Sequence, residues 1–449
     1  MTKPKPTLPE ETWRRLTQPQ LDEVAAAHAK SLAGKVAGVR ANLSLTDLSH
    51  LGFSGRDFSQ ANFNGARMAS VDLEGAKLVG ASFYGTDLQG ANMRGVDLTR
   101  ADLRGARLRG VDLTNAIMHE TDLRNGTLMI PDKSGNLIPV NREDSAALVD
   151  HAVMRFADLT NAKMAQSFVV QTDLTDTILR NVKFMKANLT EANLTGAMLE
   201  GADFTEAILN GAIFHGAILV NTTFYKASIA GADFVGAVLD NREAVSSGEG
   251  RPLLPRQIED LPGSIKVIIE EHGKWIRSAG REGTRADLSR VDLTGVDLSY
   301  ANLAAADLSY AILKDAKLSS SQFVMADLGF CDLRRANLKG ADLRGARLER
   351  VIGMEADFTN ARLAPVAIVN AQGNLWPTNL ASAKIAGAKF NNANLFHAGL
   401  KGADLSGCDF RGAKLGEADL KDALCRNADF RGADLDRADT RGAVELRRD

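Results

Sequence analysis

From Ala81 to Leu113 the chain repeats every five residues: Ala81-Ser82-Phe83-Tyr84-Gly85, Thr86-Asp87-Leu88-Gln89-Gly90, Ala91-Asn92-Met93-Arg94-Gly95 and onward. Each unit holds a small residue, Asp or Asn, a large apolar residue, then two variable residues, the last often Gly. Neither the helical period nor strand alternation produces a repeat of five. A short fixed repeat over this length implies a solenoid, in which each unit buries its apolar side chains only by stacking on its neighbours.

Units of this kind fill most of the chain in blocks. The first block runs from Ala41 to Ile130 and resumes at Ala152-Val153-Met154, continuing to Leu239; a later one runs from Ala286 to Val369, with Gly353 in a core place, and the last ends near Ala443. Two amphipathic helices precede the blocks. In the first, Thr17 is the expected cap, with Gln20 three residues on and Pro19 in the first turn. Leu21, Val24, Ala25, His28 and Leu32 share one face, and Gly34 is the expected stop. In the second, Ser264 is the cap and Ile265, Ile268, Ile269, His272 and Ile276 form the matching face. The likeness extends onward, Gly38-Val39-Arg40-Ala41-Asn42-Leu43-Ser44 against Gly283-Thr284-Arg285-Ala286-Asp287-Leu288-Ser289.

Each half is also interrupted by one related segment: Gly135-Asn136-Leu137-Ile138-Pro139-Val140-Asn141 and Gly373-Asn374-Leu375-Trp376-Pro377-Thr378-Asn379. Two short apolar runs around Lys133-Ser134-Gly135-Asn136 predict a hairpin-like protrusion, and a short helix is expected over 142–150. The chain thus reads as two copies of one larger unit. The expected boundaries are an N-terminal segment with its cap helix at 1–40, a first module at 41–241 interrupted by 131–151, an exposed linker and second cap helix at 242–285, and a second module at 286–449 interrupted by 370–378.

These units resemble the pentapeptide repeat family, written Ala-(Asp/Asn)-Leu-x-x. The resemblance implies an all-β solenoid, a right-handed quadrilateral β-helix with four pentapeptides per coil, its central Leu or Phe and the small residue two before it pointing inward. A separate observation supports four units per coil. Phe184, Phe204 and Phe224 are spaced by one coil of twenty, as are Phe390, Phe410 and Phe430, and the pairs Phe63/Phe83 and Phe214/Phe234. Rings too large for a narrow interior would share one column, where stacking adds about 0.5–1.5 kcal/mol per pair.

A β-helix ends in open rows of backbone groups that invite aggregation, so the two helices are expected to be caps. His28 and His272, on otherwise apolar faces, are expected to hydrogen-bond the first coil of their modules. They are not expected to bind metal, since no cluster with ligand spacing accompanies either.

The 54 Lys and Arg against 56 Asp and Glu leave a net charge of -2, which disfavours a nucleic-acid-binding surface. Three cysteines, Cys331, Cys408 and Cys425, occupy places otherwise held by Ala or Leu, as small buried hydrophobes in a reducing compartment would. No run is long enough to span a membrane, and no apolar leader opens the chain, so a cytoplasmic protein is expected. No phosphate loop, metal-ligand spacing or nucleophile–base arrangement is recognisable, so no cofactor, metal or catalytic residue is expected.

The expected function is a non-enzymatic scaffold offering flat walls to unidentified protein partners. The insertions would carry recognition, as loops on rigid supports do, through Asn136, Ile138, Pro139, Asn374, Trp376 and Pro377. Against this stands the expectation that both insertions fold back, burying Ile138 and Trp376. The resemblance also implies an alternative, since some family members mimic B-DNA, bind type II topoisomerases and confer quinolone resistance. Those rods are strongly acidic and dimerise through a C-terminal helix. Here Asp102, Asp122, Asp409 and Asp429 share walls with Arg104, Arg124, Arg411 and Arg431, and the residues after Ala443 are too few for such a helix.

Overall fold

Backbone hydrogen bonds between residues about twenty apart organise the computed structural model of the chain, which describes residues 13–126, 129–131, 137–139, 147–240, 245, 248–367 and 375–446. Leu43 N donates to Asn62 O (2.7 Å) and Asn62 N to Ala41 O (3.0 Å). The same parallel pairing links Asn62 to Ser82, Ser82 to Asp102, Asp287 to Asp307 and Asp307 to Asp327. A twenty-residue return built from five-residue units means four units, and so four walls, per coil. The β-helix therefore follows from the repeat itself.

Within a unit the small and the central residues point inward and are buried, as at Ala101 and Leu103 or Ala341 and Leu343. Burying each such Leu contributes roughly 1.5–3 kcal/mol. The turn between units closes with a bond from the next small residue to the central carbonyl, for example Leu51 N to Leu48 O (3.1 Å). Its third residue is left-handed: Gly55 has φ +66, but so, within a few degrees, do His50, Gln60 and Asn115. Glycine suits this place, yet the backbone ladder holds other residues there too.

The aromatic columns form. Phe63 and Phe83 stack at 4.7 Å, Phe184 and Phe204 at 5.1 Å, Phe204 and Phe224 at 5.3 Å, and Phe410 with Phe390 and Phe430 at 4.9 Å. Most polar residues at the inner corner are satisfied by one repeated device, a bond to the central carbonyl of the preceding coil, while Ser167 and Thr177 bond the carbonyl three residues back. The hydroxyls of Thr86 and Ser321 donate to the carbonyls of Phe63 and Leu298 (both 2.7 Å), and the Cys331 thiol to that of Leu308 (2.9 Å). The three cysteines are free and buried, and burial pushes the Cys408 thiol up to about 12 and the Cys425 thiol up to about 11. They are packing groups rather than nucleophiles.

Two compact units divide the chain: Met1–Asp233 with Val238–Leu253, and Phe234–Ala237 with Leu254–Asp449. In the first, strand β1 (Arg14–Arg15) pairs in parallel with β2 (Thr46–Asp47) of the opening coil. Helix α1 (Gln18–Leu32) follows, with Gln20 accepting from Thr17 N (3.0 Å). Leu21 and His28 are buried, whereas Leu32 is 41% exposed, so the apolar face ends a turn earlier than its spacing implies. Strands β3 (Met129–Pro131) and β4 (Leu137–Pro139) form an antiparallel hairpin, and β5 (Ile218–Leu219) pairs in parallel with β6 (Val238–Leu239). In the second unit, helix α2 (Ile265–Arg277) is capped by Ser264, whose Oγ accepts from Val267 N (3.4 Å). Strands β7 (Val366–Ala367) and β8 (Leu375–Trp376) form its hairpin.

Three expectations need correction. Residues 147–150, expected to end a helix, belong to a repeat unit: Leu148 bridges Arg107 and Phe168, and Leu108 N donates to Leu148 O (2.7 Å). Residues 142–146 lie outside the described residues. The second insertion ends at Pro377, because Thr378 is already an inner-corner residue, buried and bonded to Leu343 O (3.0 Å). The segment from Asn241 to Pro252, read as an exposed linker, is exposed at Glu249, Gly250 and Arg251 but is not free of the coil: Glu249 bridges Ser228, and Leu253, just beyond it, bridges Asp233. Ladder pairing uses only backbone groups, so segments without the repeat can join it.

Candidate interaction surfaces

The outer walls are built from the second and fourth residues of each unit. The Asp or Asn at the second place is not merely solvated: its Oδ1 accepts the backbone N–H two residues on, as Asp47 does from Ser49 (3.1 Å) and Asp307 from Ser309 (2.9 Å). This side-chain-to-backbone bond explains why Asp and Asn recur there. Where the fourth residue is Arg, it closes a two-pronged fork on the same carboxylate. Arg104 Nε and Nη2 reach Asp102 at 2.9 and 2.7 Å, and Arg411 reaches Asp409 at 2.9 and 2.6 Å. Asp122, Asp342, Asp429 and Asp439 are held in the same way by Arg124, Arg344, Arg431 and Arg441. The Arg411 guanidinium keeps the Asp409 carboxyl well below the usual carboxylate range. A shallow depression of about 530 Å³ lined by Arg100, Asp102, Arg104, Glu120, Asp122 and Lys163 shows the same mixture of signs. The carboxylates of these forks are thus neutralised within their own units, closer than any screening by salt would require.

The hairpins interrupt one corner of the coil. Of the residues expected to meet a partner, Asn136 and Asn374 lie outside the described residues. Ile138 and Pro139 lie in β4, Ile138 opposite Ile130. Trp376 lies in β8 opposite Val366. It is 43% exposed beside Leu375 at 45%, and Pro377 is exposed too. Trp376 is therefore neither buried nor detached. Its ring edge rests over Gly345, together with Val366 and Met325, a side chain that is itself 41% exposed. Thr378 fastens the root, since Gly345 N donates to its hydroxyl (3.0 Å).

Gly345 has φ +66, and a Cβ there would stand 2.8 Å from Met325 Sδ, 3.0 Å from Val366 Cγ2 and 3.2 Å from Trp376 Cδ1. Its counterpart, Gly105, has φ +65, and a Cβ on it would stand 2.3 Å from Gly126 O, where the first insertion leaves the coil. Both insertions thus depart over a glycine. Gly345→Ala is expected to lift Trp376 and raise its quenching by acrylamide. Gly295→Ala, at φ +68 in open space, carries the same left-handed cost of about 1–2 kcal/mol and should leave quenching unchanged.

Both histidines are fully buried against the first coil of their units. His28 Nδ1 accepts from Ala41 N (3.0 Å) and its Nε2 faces Ser59 O (3.1 Å). His272 repeats this with Ala286 N and Ala304 O, both at 3.0 Å. Among the described residues no cluster of His, Cys, Asp and Glu is arranged to hold a metal, and no helix is long and apolar enough to cross a membrane.

The family pattern of pentapeptide repeats matches residues 57–95, 66–105, 91–128, 152–190, 187–224, 286–328, 331–364, 378–412 and 413–443, together more than half of the chain. The chain belongs to the pentapeptide repeat family. No curated protein matches its sequence. Solved structures similar to it include trypsin-treated QnrB1, a plasmid-mediated fluoroquinolone resistance protein, at 18% identity and TM-score 0.29, covering 45% of this chain and 81% of that one. HetL, a pentapeptide repeat protein involved in heterocyst differentiation regulation from the cyanobacterium Nostoc sp. strain PCC 7120, shares 23% identity over 74% of this chain and 90% of its own, at TM-score 0.13. A pentapeptide repeat protein from the Arabidopsis thaliana thylakoid lumen shares 26% over 33% and 65%, at TM-score 0.14.

Some contacts of these pentapeptide repeat units had no sequence signal. Trp13 donates from Nε1 to Gly65 O (2.8 Å) and lies under the Arg67 guanidinium at 3.9 Å. In the second unit Arg256 bridges Val291, and its guanidinium reaches Ser289 O (2.6 Å) and Asp287 (3.3 Å). A short extended segment before each helix thus joins the first coil. One or two paired residues carry no period, and although Arg14 and Arg256 pair with the equivalent Thr46 and Val291, they stand seven residues before Leu21 and nine before Ile265, so no constant spacing marks them.

Proposed function

We propose that this pentapeptide repeat protein is a non-enzymatic scaffold whose hairpins, seated on rigid coils, present contacts to a protein partner. The observation that carries the reading is the side-by-side exposure of Leu375 and Trp376 on β8, next to the exposed Met325. Exposed aromatic and Met side chains on a fixed backbone make effective binding anchors. Asn136, Ile138, Pro139, Asn374 and Pro377 would flank such contacts. The strand–helix segments before each unit close the first coil against edge-to-edge association, with His28 and His272 as their fastenings. Free buried cysteines suit a reducing, cytoplasmic setting.

The alternative implied by the family, mimicry of DNA toward a type II topoisomerase, needs an uncompensated acidic wall. The Asp–Arg forks work against it. The two readings separate in one experiment. Partners captured by the wild type are purified, and their affinity is compared for wild type and Trp376→Ala. Loss of a hot-spot side chain is expected to weaken binding by about 30-fold or more with the melting temperature little changed. Equal affinity for every partner would sink the hairpin reading, and inhibition of gyrase supercoiling unaffected by Trp376→Ala would favour mimicry.

A further inference from the structure

We propose that His28 and His272 are acid-sensitive latches: protonation of either releases its helix from the first coil and bares that coil's edge. The argument rests on which atoms each imidazole uses. Nδ1 accepts a backbone N–H, from Ala41 or Ala286, and Nε2 donates to a carbonyl, of Ser59 or Ala304. Only the neutral ring protonated at Nε2 satisfies both. Adding a proton at Nδ1 sets N–H against N–H inside a site with no exposure to water. Such a donor clash in a buried site costs a lost hydrogen bond and an unsolvated charge together. Either the proton stays off or the helix leaves.

The surroundings do not rescue the charged ring. His28 stacks on Phe58 and His272 on Trp275, each at 5.5 Å; such a face favours a cation modestly but supplies no acceptor for the added Nδ1–H. Among the described residues, the charged groups acting on His28 are Asp57, which favours protonation, and Arg40, which opposes it; the one acting on His272 is Arg285, which opposes it. Asp57 is already engaged, accepting from Ser59 N (2.9 Å). Burial is the largest effect on both rings and lowers their proton affinity below the ordinary 6.5. The sign follows. A released helix returns its histidine to the ordinary value, so the latch holds fully above about pH 6.5 and weakens as pH falls below it, until the buried value is reached. The same two bonds recur in both units, which an incidental histidine would not show.

Hydrogen exchange of the full chain at pH 7.5 and 5.5, corrected for intrinsic rates, tests the latch. Opening of helices 18–32 and 265–277 is expected to rise by up to about tenfold, with coil amides such as Leu194 and Leu343 unchanged. A global melting curve would sum every titrating group in the chain, so the helices themselves are read. In His28→Gln, whose amide accepts and donates but does not titrate, helix 18–32 should lose its pH dependence while 265–277 keeps it. Equal opening at the two pH values in the wild type overturns the proposal, even where the variant does not fold. Undiminished dependence in His28→Gln overturns it as well.

Discussion

Phe204→Ala is expected to destabilise the first unit by about 4 kcal/mol, the largest single effect among these predictions. The ring is fully buried. It stacks on Phe184 at 5.1 Å and on Phe224 at 5.3 Å, and meets Phe214 edge-on at 6.1 Å. The coil cannot collapse into the space, because Phe204 N is bonded to Thr223 O and Asp203 N to Val182 O, on the two neighbouring coils. The cavity therefore persists, and the transfer and cavity costs add. Phe204→Leu should cost only about 1–2 kcal/mol, since Leu189, Leu194 and Leu199 hold equivalent central places. Urea unfolding followed by hydrogen exchange at 184–234 checks both, with residues 390–430 as the reference. If the Ala variant is no worse than the Leu variant, the stacked column is not a source of stability.

Asp332→Ala follows, with an expected loss of about 2–3 kcal/mol in the second unit. Asp332 is 1% exposed and accepts three bonds from Arg334: the backbone N–H (3.1 Å), Nε (2.8 Å) and Nη2 (2.7 Å). Removing the carboxylate leaves a part-buried backbone donor and a guanidinium that is only 16% exposed without their acceptor. The same cut at the exposed Asp429–Arg431 fork should be nearly silent, as surface pairs generally are. Asp332→Asn retains one acceptor and should fall between. The denaturation midpoints of the three variants give the ranking. An Asp429→Ala variant as damaged as Asp332→Ala would show that burial is not what sets the cost.

Much of this architecture was legible because the interior is so narrow. A core that admits one large and one small side chain per five residues writes its period into the chain, and rings that need a shared column write the coil length beside it. The signal fails where the constraint passes from side chain to backbone. Phe358 and Phe390 stack at 4.7 Å though 32 residues apart, because a hairpin lies between them and hides the spacing. Ala147-Leu148-Val149 and Thr378 escape because each directly follows an insertion, where no preceding unit sets the register. Glu249, Leu253 and Arg256 pair through amides that any residue carries. The surface was less legible than the core. The Asp–Arg columns could be read, but that each Asp also fastens a backbone amide could not, and the seat of Trp376 on Gly345 depends on a turn that the sequence does not mark.

The hairpins have a consequence for how new parts can enter such a chain. Arg107 bridges Leu148 and Arg347 bridges Asn379, so the ladder closes across 41 residues in one unit and 32 in the other as smoothly as across twenty. Extra length leaves and re-enters at one corner without shifting any side chain between inside and outside, the slip that ruins an ordinary sheet. The coil therefore behaves like a rack with open slots, where peptide segments of quite different size can be exchanged while the frame keeps its alignment.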